Sequence, residues 1–201
     1  MTVEKKYAAK DFSKLGGLNG ISDGQIAEHL ELYKGYVKRT NALTERLYAM
    51  CSEGKASGAD PVYAELTRRL GFEYNGMILH EQYFASLRPG ATAEPASGSA
   101  LQQAIVKSFG SFKVWSDDFR AIATMPGVGW AVTYQDPTTL WLSNHWITLH
   151  NDGNPSGFTP IVVMDGWEHA FMRDYKAFER GKYVEAFFRN IDWDACGRRL
   201  R

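Results

Sequence analysis

Long hydrophobic runs are missing from this chain. No stretch of about 18 apolar residues occurs, so a membrane-spanning helix is not expected. The opening Met1-Thr2-Val3-Glu4-Lys5-Lys6-Tyr7 lacks the apolar core of a secretory signal. A cytoplasmic protein is the expectation. Net charge is missing too, since 23 basic residues balance 23 acidic ones. A nucleic-acid partner needs a basic face and is not expected. Cysteine is scarce: Cys51 and Cys196 are far apart and fit no metal spacing, so free thiols are expected rather than a disulfide. No internal repeat and no low-complexity tract is found.

What remains is an ordinary globular composition, 44% hydrophobic and 23% charged over 201 residues. That length can bury a sizeable core. Ser22-Asp23-Gly24-Gln25 has the form of a capping box. After it, Ile26, Leu30, Tyr33, Val37, Leu43, Leu47 and Met50 keep an apolar stripe without proline, which predicts one long helix. Asp60-Pro61 opens a second helical stretch reaching about Leu87. The two make an antiparallel helical hairpin. Residues 88–98 are turn-rich and mark the domain boundary, giving a helical domain over 1–90 and a second domain over 91–201.

In the second domain the pattern predicts helices near 99–109 and 111–124. Strands follow over 129–134, 139–143 and 161–164, then helices near 167–180, 182–189 and 193–200. The fold class is α+β: an N-terminal long antiparallel α-hairpin, then a C-terminal α/β domain with a small three-stranded antiparallel sheet.

The chemistry centres on Asp165-Gly166-Trp167-Glu168-His169, directly after the apolar run 160–164. On a helix, positions i and i+4 share a face, so Asp165 and His169 could converge on one ion. A carboxylate at the end of an apolar strand is buried and needs a cation or several donors. Only five histidines exist, and His29 and His80 lie on helical patterns. Three nitrogens and one carboxylate oxygen suit a redox-active first-row metal. Each residue also has a plainer reading. His29 and His80 could be packed, hydrogen-bonded side chains, and Asp165 could be an N-cap beside a surface His169. Tyr33, Tyr36, Tyr83, Phe84, Trp130, Trp146, Trp167 and Phe171 could form a dry shell around an ion.

In order along the chain come Tyr36-Val37, Asn41-Ala42-Leu43, His80 with Leu87-Arg88-Pro89, Phe109-Gly110-Ser111-Phe112 and Gly127-Val128-Gly129-Trp130-Ala131. Asn144-His145, Asp165-Gly166-Trp167-Glu168-His169-Ala170-Phe171 and Phe187-Phe188-Arg189-Asn190-Ile191-Asp192-Trp193 complete the series. With these pieces the chain resembles the iron/manganese superoxide dismutase family over nearly its whole length. The resemblance implies a metal held by His29, His80, Asp165 and His169, and disproportionation of superoxide to dioxygen and hydrogen peroxide. The metal is iron or manganese, with a lean to iron.

In many relatives a glutamine tunes the metal-bound solvent, from four residues before the helical ligand histidine or from the sheet. Gly76 leaves the helix position vacant here. The resemblance therefore assigns the donor role to His145, while His150 is expected at the surface. The first helix departs from the family pattern. Tyr36 is seven beyond His29 and Tyr33 is four beyond it, so either could gate the site, with Tyr36 preferred. An alignment anchored on Tyr36 would put Glu28 in the ligand place; His29 is preferred, because a helix that has lost a π-bulge is regular and seven residues span about two turns.

Trp130 and Trp167 are expected to wall the pocket. Glu168 is expected to brace the partner's His169 across a homodimer, with a tetramer as the alternative. Lys34 and Arg180 could steer anions or be solvated charges. The runner-up reading is a non-catalytic interaction protein on the same fold.

Overall fold

The computed structural model describes residues 6–201. α1, Asp23–Ser52, starts at Ser22, whose hydroxyl accepts from the Gln25 amide at 3.0 Å. The cap is one-sided. The Gln25 side chain leaves for the C-terminal half, and the Ser22 amide donates to Asp174 instead, at 2.7 Å. α1 is a regular α-helix throughout. α2, Pro61–Phe84, is likewise one piece, with Asp60 capping the Val62 and Tyr63 amides. The contacts between them run in opposite senses: His29 meets Phe84, Tyr33 meets Glu81, Tyr36 meets Phe72. The helices are therefore antiparallel, as the pattern predicts.

After the linker come α3, Ala100–Phe109, and α4, Phe112–Ala123. Three antiparallel strands follow: β1 Gly129–Gln135, β2 Leu142–Thr148 and β3 Thr159–Asp165, in the order β2-β1-β3. The chain ends in α5, Arg180–Phe188, and α6, Trp193–Gly197. β1 is buried along its whole length, as the middle strand of a covered sheet must be. One apolar cluster joins the hairpin to the sheet, running from Ile26, Tyr33 and Phe84 to Trp115, Phe119 and Phe187. Both cysteines are free, Cys51 exposed and Cys196 buried. Among the described residues, no helix is long and apolar enough to cross a membrane.

Two expectations are corrected. The second strand begins at Leu142 rather than 139. The Asp136 carboxylate accepts from the Thr138 amide at 2.7 Å and the Thr139 hydroxyl at 2.9 Å, and Leu140 sits at φ 60°, so 136–141 is a turn. The segment 167–180 is not an α-helix. It holds two single 3₁₀ turns, Glu168–Ala170 and Ala177–Glu179. The cause lies at Asp165, whose Oδ1 accepts from the Trp167 amide at 2.8 Å and starts a tight turn instead.

Candidate metal centre

The sheet register brings Trp130 of β1 opposite Asp165, the last residue of β3. Gly166 then donates its amide to the Gly129 carbonyl at 2.9 Å, and a Cβ on Gly166 would lie 2.9 Å from that same oxygen. Only glycine allows the approach. The turn swings His169 back over Asp165. The α-hairpin supplies the opposite wall, with His29 on α1 and His80 on α2.

Asp165 is fully buried, and its Oδ2 lies 3.0 Å from His169 Nε2, 3.1 Å from His29 Nε2 and 3.5 Å from His80 Nε2. One ligand atom from each of the four residues falls within 4.8 Å of all the others. The donor set fits a cation for a specific reason. His80 Nδ1 lies 2.6 Å from the Gly76 carbonyl oxygen, which can only accept, so Nδ1 carries the proton. His80 Nε2 is then a bare lone pair facing a carboxylate oxygen and His169 Nε2, the latter at 3.4 Å. Acceptors facing acceptors in a dry site call for a positive ion between them.

Burial pushes the His29 and His80 imidazoles below their ordinary range, so both stay neutral donors. Burial pushes Asp165 up, but the His169 and His29 imidazoles beside it outweigh that and hold the carboxyl well below the usual carboxylate range.

The surrounding side chains fix this geometry. Gln25, 1% exposed, donates Nε2–H to the His169 carbonyl at 2.7 Å and accepts from the Arg173 amide at 3.1 Å. The Tyr183 hydroxyl donates to the Asp165 carbonyl at 2.9 Å. Trp130 stands edge-on to His80, with ring centres 5.0 Å apart. Trp167 stacks between His150 at 4.8 Å and His169 at 5.7 Å. Glu168 is exposed beside them.

The histidine beside this cluster is His150, not His145. His145 lies mid-strand on β2 opposite Val132, bonded to Ser143 Oγ at 2.8 Å and packed against Tyr134 and Phe158. His150, expected at the surface, is fully buried. Its Nδ1 accepts from Trp130 Nε1 at 3.0 Å, and its Nε2 lies 2.6 Å from the Tyr36 hydroxyl. Indole N–H only donates, so Nδ1 is the acceptor and Nε2–H donates to Tyr36. Burial pushes the His150 imidazole down to about 4, which keeps this tautomer neutral. The vacancy at Gly76 is filled by these same rings: a Cβ there would lie 2.6 Å from Tyr36 Cδ1 and 3.0 Å from His150 Cδ2.

No local pattern in the sequence marks His150. β2 runs on to Thr148, which pairs with Gly129, so the residues just beyond it reach the Trp130–Asp165 end of the sheet.

The two tyrosines separate. The Tyr36 ring lies 4.9 Å from His80. The Tyr33 hydroxyl turns away, donating to Glu81 at 2.9 Å and accepting from the Lys10 amide at 2.9 Å. Glu28 is exposed and paired with Arg173, away from the cluster. Lys34 pairs with Glu31 on the surface, and Arg180 donates to the Met125 and Gly127 carbonyls.

Comparisons with known proteins identify the family. Residues 96–199 match the family model for iron/manganese superoxide dismutases, C-terminal domain. The superoxide dismutase (Fe) of Aquifex pyrophilus is 37% identical over 198 residues, covering 97% of this chain and 91% of that one. Superoxide dismutase (Mn) 2 of Haloferax volcanii is 34% identical over 175 residues, 87% of this chain and 84% of that one. The superoxide dismutase (Mn/Fe) of Aeropyrum pernix is 33% identical over 174 residues, 86% and 78% of the two chains. With the family model matched over half its length and relatives alike over nearly all of it, the chain belongs to the iron/manganese superoxide dismutase family.

Proposed function

We propose that the protein disproportionates superoxide to dioxygen and hydrogen peroxide, with His29, His80, Asp165 and His169 holding one iron or manganese ion. The observation that carries this reading is the convergence of three imidazoles and one buried carboxylate, whose ligand atoms all lie within 4.8 Å of one another. When bound, the ion supplies the one-electron cycle, taking an electron from one superoxide and returning it to the next. Iron is preferred, since the Aquifex relatives of 37% and 36% identity are named as iron enzymes.

The chain's own residues manage protons and water. His150 spends its only N–H on the Tyr36 oxygen, so the Tyr36 proton is left free to point into the site. Burial and the Asp165 charge push the Tyr36 phenol up to about 12, so it stays protonated and able to donate to an arriving anion. We therefore assign Tyr36 as gate and His150 as the group that orients it. Tyr33 braces the first helix through Glu81. Trp130 and Trp167 keep bulk water off the donors.

We also propose a homodimer in which Glu168 braces the partner's His169. Its support is the exposure of Glu168 next to a ligand candidate whose side chain is 23% exposed, with Met172 49% exposed on the adjoining turn. Sedimentation as a monomer at about micromolar concentration, within the range of specific protein association, would sink the dimer.

The test of function is a superoxide assay on protein loaded separately with iron and manganese, with metal content measured in parallel. Full metal with no turnover refutes the enzyme reading. His29→Ala should lose metal, while Glu28→Ala should keep it; the reverse result refutes the ligand assignment.

A further inference from the structure

The closing segment Asn190-Ile191-Asp192-Trp193 has no part in the site described so far, and neither has Arg199, just beyond α6. Both reach from the C-terminal half back to the hairpin. The Asn190 carbonyl accepts from the Arg88 amide, and the Asp192 amide donates to the Ser86 carbonyl, each at 2.8 Å. Arg199 goes deeper. Its Nη2 donates to the Gln82 carbonyl at 2.9 Å. Its Nη1 donates to Ser86 Oγ at 2.9 Å and to the Ile161 carbonyl at 2.7 Å. Gln82 belongs to the last turn of α2 and Ile161 to β3. Ser86 and Ile161 are both 0% exposed.

This arrangement is costly. Burial pushes the Arg199 guanidinium down from the ordinary arginine value. Its bonds go to two carbonyls and a hydroxyl, and no carboxylate among the described residues forms an ion pair with it. A desolvated cation without a counter-ion is unfavourable unless it secures something else. The Gln82 carbonyl explains part of it. It lies at the C-terminal end of α2, where carbonyls lack helical partners and the dipole favours a cation. The Ile161 carbonyl belongs to a different element. His80 lies within one turn of Gln82 on α2, and Asp165 ends the strand that holds Ile161. The guanidinium therefore bridges the two elements that carry His80 and Asp165. Tyr183 makes a second rung of the same kind. It donates to the Asp165 carbonyl at 2.9 Å, and its hydroxyl lies 3.1 Å from that of Tyr83 on α2. Apolar packing between α2 and β3 is non-directional, whereas a planar fork of donors fixes how one element sits on the other.

We propose that Arg199 is a positioning residue for the metal centre, locking α2 onto β3 and thereby holding His80 in place against Asp165. The inference rests on the metal reading of the four donors and is independent of the substrate.

The test loads metal-free protein with cobalt(II), whose visible bands report the ligand geometry, and measures Kd, band position and intensity, and Tm. Arg199→Met should weaken cobalt binding about three- to tenfold and alter the bands. That is less than the 10–100-fold typical of groups bonded directly to a ligand. Arg199→Lys keeps the charge but loses the fork, and should weaken binding about two- to threefold. Trp115→Phe is the control. It removes a buried hydrogen bond to Thr133, 2.9 Å long, on the side of β1 opposite Trp130. Its Tm should fall, while its Kd stays within about 1.5-fold of wild type and its bands stay unchanged, since a loss far from the donors leaves their spacing alone.

A folded Arg199→Met with the Kd and bands of wild type would overturn the proposal. So would an equal loss of cobalt binding in Trp115→Phe, which would make the effect one of general loosening. If Arg199→Met does not fold, Arg199→Lys decides by the same criteria. Superoxide turnover by wild type loaded with iron and with manganese is measured in parallel. No turnover, with the Arg199 variants shifted, leaves the positioning role standing and removes the dismutase reading. Active wild type with unshifted variants removes only the positioning role. Wild type that takes up no cobalt removes the metal centre and the proposal with it.

Discussion

Replacing His150 with alanine should damage the protein far more than replacing His145. The His150 ring makes two internal hydrogen bonds. Without it, the indole N–H of Trp130, a residue 0% exposed, loses its acceptor. An unsatisfied buried donor costs about 1–3 kcal/mol. The Tyr36 hydroxyl loses its donor, at about 0.5–1.5 kcal/mol. The ring also packs against Phe72 at 4.4 Å and Trp167 at 4.8 Å, contacts worth about 0.5–1.5 kcal/mol each. These effects share one side chain and overlap, and water can enter so polar a gap, so the sum settles at about 3–5 kcal/mol.

His145→Ala removes one bond to a part-buried serine and some contact with Tyr134 and Phe158, for about 1 kcal/mol. Urea unfolding of both variants, at one pH and equal metal content, gives the comparison through the midpoint at constant slope. A gap of at least about 2 kcal/mol is expected, which is larger than the extrapolation error. Adding Tyr36→Phe to each variant should show coupling of about 1 kcal/mol with His150 and none with His145. Equal losses for the two histidines, or a larger loss for His145→Ala, would refute the placement of His150.

Other expectations follow from the same geometry. Gly76→Ala gains up to about 1 kcal/mol of helix propensity but puts a methyl 2.6 Å from a buried ring, and overpacking at about 1–3 kcal/mol decides the sign. The variant should melt lower and turn over more slowly; a rise in Tm would refute this. Acid should weaken the metal-free protein. His150 falls to about 4 when folded and sits near 6.5 when unfolded, so the unfolded chain binds more protons between those values. Its stabilising effect, about 3 kcal/mol, is full above pH 6.5 and lost as pH falls through 4, with His29 and His80 acting in the same direction. A Tm that is flat from pH 7 to 4 would contradict it. Gln25→Ala frees the His169 carbonyl and should lower metal retention under chelator challenge without unfolding α1; unchanged metal off-rate would remove its holding role.

The hairpin was legible in the sequence because its signals are local: a hydroxyl cap at Ser22, a proline at the start of α2, and an apolar stripe without breakers. The four candidate donors that the structure brings together stood out because only five histidines occur and Asp165 follows an apolar run. What failed was geometry made by long-range contacts. Asp165 and His169 were read as neighbours on a helix face, able to converge on one ion from there. In the protein Asp165 is still strand, paired with Trp130. One of its oxygens is committed to the turn and the other to the imidazoles.

That division of one carboxylate between backbone and site depends on Gly166 meeting Gly129, a contact no local pattern reports. The exchange of His145 for His150 has the same origin. Strand register is set by the partner strand and by the Asp136 turn, and a three-residue error in where β2 begins hides which histidine reaches the end of the sheet. Residue chemistry was therefore readable one position at a time, whereas the assignment of roles required knowing which end of β1 faces the hairpin.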